Sequence, residues 1–309
     1  MEQALFTAQS LLEQLPLFVV AILILWCAKV VYDLTTKYSF DEELVERDNS
    51  AVGVSLAGYL LGVGFALKGV FADMAINPEI IMVENEAGEM VEAAASSPLL
   101  DIAINGVLII ILMRLSVWIS DKCILYKFKM EKEIIDDRNS GTGFVVAGSC
   151  IATGLMLCGV LSGESASTGE MIRDIVLYWA IGQTLLVIGA KFYTFVTRYD
   201  VHEVIENDDN VSAGLCFGAY LLAQGVIAYG SLNGASGAIV NELIITSVAG
   251  IIGMILLVTS SVVVDKAFLP KSCLVKEIVE DQNIAAGATV AAIFVTVGIT
   301  LANVISASI

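Results

Sequence analysis

Four clusters of acidic and amide residues recur along the chain, and they are the residues best suited to chemistry. Each cluster has two acids spaced three positions apart, and an asparagine follows six or seven positions after the first acid. Carboxylate and amide oxygens are ligands for hard cations, so four such clusters brought together by symmetry would form a vestibule for a small cation or a polyamine. The clusters consist of Glu43, Glu46 and Asn49; Glu133, Asp136 and Asn139; Glu203, Glu206 and Asn210; and Glu277, Glu280 and Asn283.

A structural interpretation accounts for the same residues. Each asparagine directly precedes an apolar run, where its side-chain oxygen would cap the free backbone N–H groups of a helix start. The acids before it would lie near the positive end of the helix dipole. The spacing does not match a calcium-binding loop, so no specific metal is implied, and capping and ligand binding both remain open.

Two columns of glycine follow the asparagines with strict spacing. One glycine lies four residues after each asparagine and a second lies eleven residues further on, close to three helical turns. Small residues on one helix face allow close backbone approach in lipid, so we expect the four helices to pack through these faces. The glycines are Gly53, Gly64, Gly143, Gly154, Gly214, Gly225, Gly287 and Gly298.

The composition places the chain in a bilayer. Of its 309 residues 57% are hydrophobic and only 16% are charged, and the mean hydropathy is +0.82. Apolar runs long enough to span the hydrocarbon core are continuous rather than alternating, which favours helices over a β-barrel. The runs cover residues 16–34, 51–71, 98–120, 141–161, 174–196, 211–231, 242–264 and 284–306.

The basic residues predict the orientation. Fourteen of the sixteen Lys and Arg residues lie in or near the four motif segments, so the motif side should be cytoplasmic and both termini should lie outside. The opposite side is almost purely acidic, with six acids at positions 73–92. A net charge of −17 argues against a nucleic-acid partner.

The repeat also predicts the architecture. Asp-Lys pairs precede the second and fourth copies, whereas Ala-Lys pairs precede the first and third. We therefore expect an all-α membrane protein with eight transmembrane helices as four helical hairpins, in two pseudosymmetric four-helix halves, 1–161 and 162–309. Asn105, Arg114 and Gln183 fall inside predicted spans, where polar groups are costly, and they are candidates for an intramembrane polar path.

Catalytic chemistry is not expected. The sequence contains no GxSxG, HExxH or phosphate-loop motif, so we predict no enzyme and no cofactor. Its six cysteines have no paired spacing, and its single histidine, His202, is predicted to be a solvated loop residue.

The acidic segment leading to Asn-x3-Gly, repeated between apolar spans, resembles the bacterial inner-membrane family called domain of unknown function 350 (DUF350). This chain looks like a tandem member with two fused four-helix units. The resemblance implies a multi-pass location in the bacterial inner membrane and supplies no catalytic residues. Some family members are thought to accompany membrane-remodelling proteins of the envelope-stress type, or polyamine-related enzymes.

Two functions follow as hypotheses. The first is a transporter or channel for a small cation or cationic solute, and the second is a membrane scaffold whose acidic cytoplasmic loops recruit a soluble partner. Besides the lipid bilayer, the candidate partners are a small cation or polyamine, a soluble membrane-remodelling protein, and a second copy of the chain. A continuous polar cavity through the bundle would favour transport, and a dry, closely packed core would favour the scaffold.

Overall fold

Eight helices in the described part of the chain are long and apolar enough to cross a membrane. The computed structural model describes residues 15–76, 80–84, 90–94, 98–163, 168–233, 239–268 and 272–308, with only the backbone between residues 73 and 99. The long helices are α1 (Leu15–Leu34), α2 (Ser50–Ile76), α3 (Pro98–Ile119), α5 (Ser140–Leu161), α6 (Thr168–Val196), α8 (Val211–Leu232), α9 (Ile239–Val263) and α10 (Ile284–Ser306). The predicted all-α membrane fold is confirmed.

Short helical segments carry the acidic residues between these helices. They are α4 (Met130–Ile135), α7 (Val201–Asp208) and two π-helical segments, Glu42–Glu46 and Lys276–Glu280. Two further π-helical segments, Ser120–Ile124 and Val264–Phe268, extend α3 and α9.

A short β-hairpin, which the sequence pattern does not predict, follows α2. Strand β1 (Ile80–Glu84) pairs antiparallel with β2 (Met90–Ala94), and Ile80 lies opposite Ala94. The six acids predicted for this side of the membrane have side chains outside the described part of the structure.

The four helices that follow the motif asparagines form a row in the order α2, α5, α8, α10, with extensive contacts between neighbours. The other four helices pack over this row. Helix α3 contacts α2 and α5, α6 contacts α5 and α8, and α9 contacts α8 and α10, while α1 packs on α2 and α3. The row is therefore the core of the bundle.

Glycine is required within the row because the backbones nearly touch. A Cβ atom at Gly148 would lie 2.0 Å from the carbonyl oxygen of Gly218, and one at Gly154 would lie 2.0 Å from that of Gly62. Real Cβ atoms do not approach so closely, so any side chain at either position forces the helices apart. Close approach of this kind gives dispersion contacts that hold helices together in lipid.

Candidate functional site

The motif asparagines cap the helices of the row, as the sequence predicts. The side-chain oxygen of Asn139 accepts from the backbone N–H of Thr142 at 3.1 Å, and that of Asn210 accepts from Ala213 at 2.9 Å. Asn49 and Asn283 each accept from two N–H groups in the same way. Each cap satisfies backbone donors that have no partner within the helix.

The side-chain amide of the asparagine bonds to the first acid of its own copy in three copies. Asn49 donates to Glu43 at 2.9 Å, and Asn139 donates to Glu133 at 3.1 Å. Asn283 likewise donates to Glu277 at 2.8 Å. These three acids therefore accept hydrogen bonds from within the protein.

The third copy departs from this pattern because of its extra residue. Glu203 lies seven positions before Asn210. The residue six positions before Asn210, where the other copies have an acid, is Val204. The backbone N–H of Asn210 bonds to the Val204 carbonyl at 3.4 Å, whereas the corresponding bonds in the other copies are 2.8–2.9 Å long. The insertion thus removes the internal carboxylate and lengthens the turn.

Each asparagine amide also reaches forward to the next copy. Asn49 donates to the carbonyl of Ile134 at 2.9 Å, Asn139 to that of Ile205 at 2.5 Å, and Asn210 to that of Ile278 at 2.7 Å. In every case the acceptor lies five residues before the next motif asparagine. We call this series of bonds between copies the asparagine relay.

The residue before each asparagine adopts a left-handed backbone conformation. The φ angles are 48° at Asp48, 53° at Arg138, 47° at Asp209 and 45° at Gln282. Left-handed residues commonly end a helix and let the next N–H bond back to it. This turn directs the chain from the acidic segment into the row helix. Arginine and glutamine are not typical of left-handed positions, so the sequence did not predict the turn at Arg138 or Gln282.

Burial divides the motif acids into buried, half-buried and exposed groups. Glu43 is 2% exposed and Glu133 is fully buried. Burial raises the pKa of the Glu133 carboxyl above its ordinary value, while hydrogen bonds from Asn139 and Lys132 oppose that rise. The four exposed motif acids are Glu46, Asp136, Glu203 and Glu280, and Glu206 and Glu277 are half-buried.

The exposed motif acids differ from their acidic neighbours in their pairing. Asp41, Glu131, Asp137 and Asp281 form ion pairs with lysines at 2.7–3.3 Å. None of the four exposed motif acids forms an ion pair with any described lysine or arginine. Within the described ranges, no three His, Cys, Asp or Glu side chains converge in a way that fits a metal ion.

His202 is not a solvated loop residue, so the prediction from its loop position was wrong. Its side chain is 2% exposed, and its Nε2 lies 2.7 Å from the Ile124 carbonyl at the end of the third span. The ring packs against Tyr126, Phe128 and Phe217. Burial lowers its pKa below the ordinary value, and the ring joins α7 to the end of the third span.

The three intramembrane polar residues lie in separate surroundings. The Arg114 guanidinium lies 4.3 Å from the Tyr32 ring centre, whereas Gln183 donates to the Thr153 hydroxyl at 2.9 Å. Asn105 is 5% exposed. An open groove of about 700 Å³ between α1 and α2 is lined mainly by apolar side chains, together with Lys29 and Lys68, and by none of the three.

Comparisons with known proteins agree with this repeat. The model of the family described as Domain of Unknown Function (DUF350) matches residues 6–161 and again residues 167–305. A UPF0719 transmembrane protein of Aquifex aeolicus (strain VF5) is 22% identical over 281 residues, which cover 90% of this chain and 95% of that protein. No solved structure matches the chain. The two matches in tandem cover nearly all of its length, and the chain therefore belongs to the DUF350 family of multi-pass membrane proteins.

Proposed function

We propose that this chain is a scaffold of the bacterial inner membrane that recruits a basic soluble protein through its motif segments. In this proposal the motif side faces the cytoplasm, both termini lie outside, and the chain is not an enzyme. The observation that carries the proposal is the division of the motif acids. The first acids of three copies accept internal hydrogen bonds, while Glu46, Asp136, Glu203 and Glu280 are exposed and form no ion pair with a described lysine or arginine.

The rigidity of the motif segments supports this function. Binding to a fixed array of charges costs less conformational entropy than binding that must first order flexible loops. Helix caps, left-handed turns and the asparagine relay tie each exposed motif acid to a row helix. Four carboxylates held in this way would contribute electrostatic steering and specificity, and the binding would weaken as salt is added.

A charge-matched pair of variants tests the scaffold. The first carries Glu46→Gln, Asp136→Asn, Glu203→Gln and Glu280→Gln, and the control carries Asp41→Asn, Glu131→Gln, Asp137→Asn and Asp281→Asn. Each removes four negative charges from the same side of the protein, but the control removes acids that already have lysine partners.

Binding of a 20-residue peptide rich in Lys and Arg is measured in neutral-lipid nanodiscs, and soluble proteins that co-purify from cells are quantified in parallel. We expect at least a tenfold loss of peptide affinity, and loss of a basic co-purifying protein, in the first variant only. Equal losses in both variants would show binding by net charge alone and would overturn the proposal.

Transport of a small cation or cationic solute is a second candidate, favoured by buried polar atoms without partners. The described residues offer no hydrogen-bond partner to the Oδ1 of Asn105, the Oε1 of Gln183, or the Nε and Nη1 of Arg114. Such atoms are costly in a bilayer and mark candidate pathways. Flux of potassium and of putrescine into proteoliposomes, with and without Asn105→Leu and Gln183→Leu, tests this candidate, and flux no greater than in empty liposomes would exclude it for those two solutes.

A further inference from the structure

Each helix of the row carries two faces of small residues, defined by position after the motif asparagine. The trailing face, at positions 4, 8 and 15, packs against the preceding row helix. The leading face, at positions 2, 9 and 13, packs against the following one. In α5 the trailing face is Gly143, Ala147 and Gly154, and the leading face is Gly141, Gly148 and Ala152.

One register joins these faces three times along the row. Position 4 approaches position 2 of the preceding helix, and position 15 approaches position 13 of that helix. Between α5 and α8, these contacts are Gly214 with Gly141 and Gly225 with Ala152. The same two contacts recur where α5 meets α2 and where α10 meets α8: Gly143 with Ala51, Gly154 with Gly62, Gly287 with Ser212, and Gly298 with Ala223.

At both ends of the row, the described residues leave one such face uncovered. The trailing face of α2 consists of Gly53, Ala57 and Gly64; Ala57 is exposed, and a Cβ atom at Gly64 would meet nothing within 4 Å. The leading face of α10 consists of Ala285, Ala292 and Thr296, and all three are exposed. The corresponding residues at the three internal contacts are buried: Ala51, Gly58, Gly62, Gly141, Gly143, Ala147, Gly148, Ala152, Gly154, Ser212, Gly214, Gly218, Ala219, Ala223, Gly225, Gly287, Ala291 and Gly298.

A groove lies beside the uncovered face of α2. It is the groove of about 700 Å³ between α1 and α2, and Gly64 forms part of its lining. Helices α3, α6 and α9 each pack on two helices of the row, whereas α1 packs closely on α2 alone among the row helices. The groove thus lies where the pattern of the bundle places a row helix ahead of α2.

The asparagine relay ends at the same two places. Leu44 lies five residues before Asn49, the position of the relay acceptors, but none of the four motif asparagines donates to its carbonyl. Asn283 donates to Glu277 and makes no forward bond to another described segment. One end of the chain therefore offers the relay acceptor, and the other end offers the relay donor.

We propose that the chain assembles head to tail with further copies of itself, with α10 of one protomer seated in the α1–α2 groove of the next. The internal register then pairs Ala285 with Gly53, Ala292 with Ala57, and Thr296 with Gly64, and it carries the relay from Asn283 to the Leu44 carbonyl. The interface is heterologous, so it builds rings or open rows rather than a two-fold dimer. Small residues suit α10 to this groove because they allow the close backbone approach seen at all three internal contacts.

Disulfide cross-linking between differently tagged chains tests the interface. All chains carry Cys27→Ser and Cys273→Ser, which remove the exposed native thiols. One chain carries Ala57→Cys and the other Ala292→Cys, and the two are co-expressed in membranes and oxidised. We expect a cross-linked dimer that carries both tags, and a ladder of higher species when both substitutions are in one chain. A control with Ile251→Cys, on the exposed face of α9, in place of Ala292→Cys should give neither product.

Three results would overturn the proposal: no cross-link between the two tagged chains, cross-linking of Ala292→Cys chains with one another, or equal cross-linking in the Ile251→Cys control.

An independent measurement guards against misfolded variants. Thr296→Trp places a bulky group on the exposed leading face of α10, away from the packed core of its own chain. Its mass by native mass spectrometry should fall from an oligomer to a monomer while its helical circular dichroism stays unchanged, and an oligomer equal to the wild type would count against the interface.

Discussion

The side-chain amide of Asn139 donates a hydrogen bond of 2.5 Å to the backbone carbonyl of Ile205. This bond joins a helix cap in the first family match to an acidic segment in the second. The same amide also holds the buried Glu133 carboxylate. One asparagine thus links a helix start, a buried charge and the contact between the two repeats.

Replacement of Asn139 by Ala should therefore lower stability more than the same change at Asn283. The first variant loses the cap and leaves Glu133 and the Ile205 carbonyl without their shared donor, at a cost of about 2–4 kcal/mol. Asn283 is half-buried and makes no forward bond, so Asn283→Ala should cost about 1 kcal/mol. Unfolding by SDS in mixed micelles measures the stability loss of both variants. Equal losses would show that the forward bond contributes nothing to stability.

Replacement of Gly148 by Ala should separate two row helices. The new methyl group would lie 2.0 Å from the Gly218 carbonyl oxygen, and relief requires backbone movement, so we expect a loss of about 1–3 kcal/mol or more. Gly169→Ala is the matched control because a Cβ atom there meets nothing within 4 Å. Thermal unfolding in detergent distinguishes them, and a Gly148→Ala protein as stable as the control would contradict the close contact.

His202 should make stability depend on pH. Burial lowers its pKa in the folded protein, so below about pH 6.5, the ordinary histidine value, the unfolded chain binds more protons and stability falls. His202→Gln keeps an amide donor for the Ile124 carbonyl and removes the titration. Unfolding measured from pH 7.5 to 5.5 should show a smaller loss in this variant, and an identical slope would assign the pH dependence to other groups.

Arg114 and Tyr32 should be energetically coupled. The guanidinium lies 4.3 Å from the ring centre, within the range of a cation–π interaction worth about 1–2 kcal/mol when shielded from water. A double-mutant cycle with Arg114→Met and Tyr32→Leu measures the coupling directly. Strictly additive losses would show that the contact contributes nothing beyond the separate side chains.

Local patterns predicted much of this fold. The eight spans follow from continuous apolar runs, and the caps follow from asparagine at each helix start, because both depend on residues close together in sequence. The order of the row was not predicted, since the glycine columns showed that small faces exist but not which faces meet. The β-hairpin was also missed, because its acidic segment resembled a solvated loop.

The candidate site was less accessible to sequence reasoning. The motif pattern predicted which asparagines cap helices, but their forward bonds to Ile134, Ile205 and Ile278 join residues 66–85 positions apart. The acceptors are backbone carbonyls, which leave no mark on side-chain type. The burial of His202 likewise depends on the aromatic residues Tyr126, Phe128 and Phe217 that its own surroundings in sequence do not reveal.

The contact between α5 and α8, which joins the two family matches, uses the same register as the contacts within them. A single four-helix unit would carry one leading and one trailing face, as the complete chain does. If the chain assembles head to tail as proposed, joining two units in one polypeptide needs no new interface, because it links two complementary surfaces whose effective concentration is then far higher than between separate chains. The tandem arrangement would fix the stoichiometry of an assembly whose geometry a single unit already encodes.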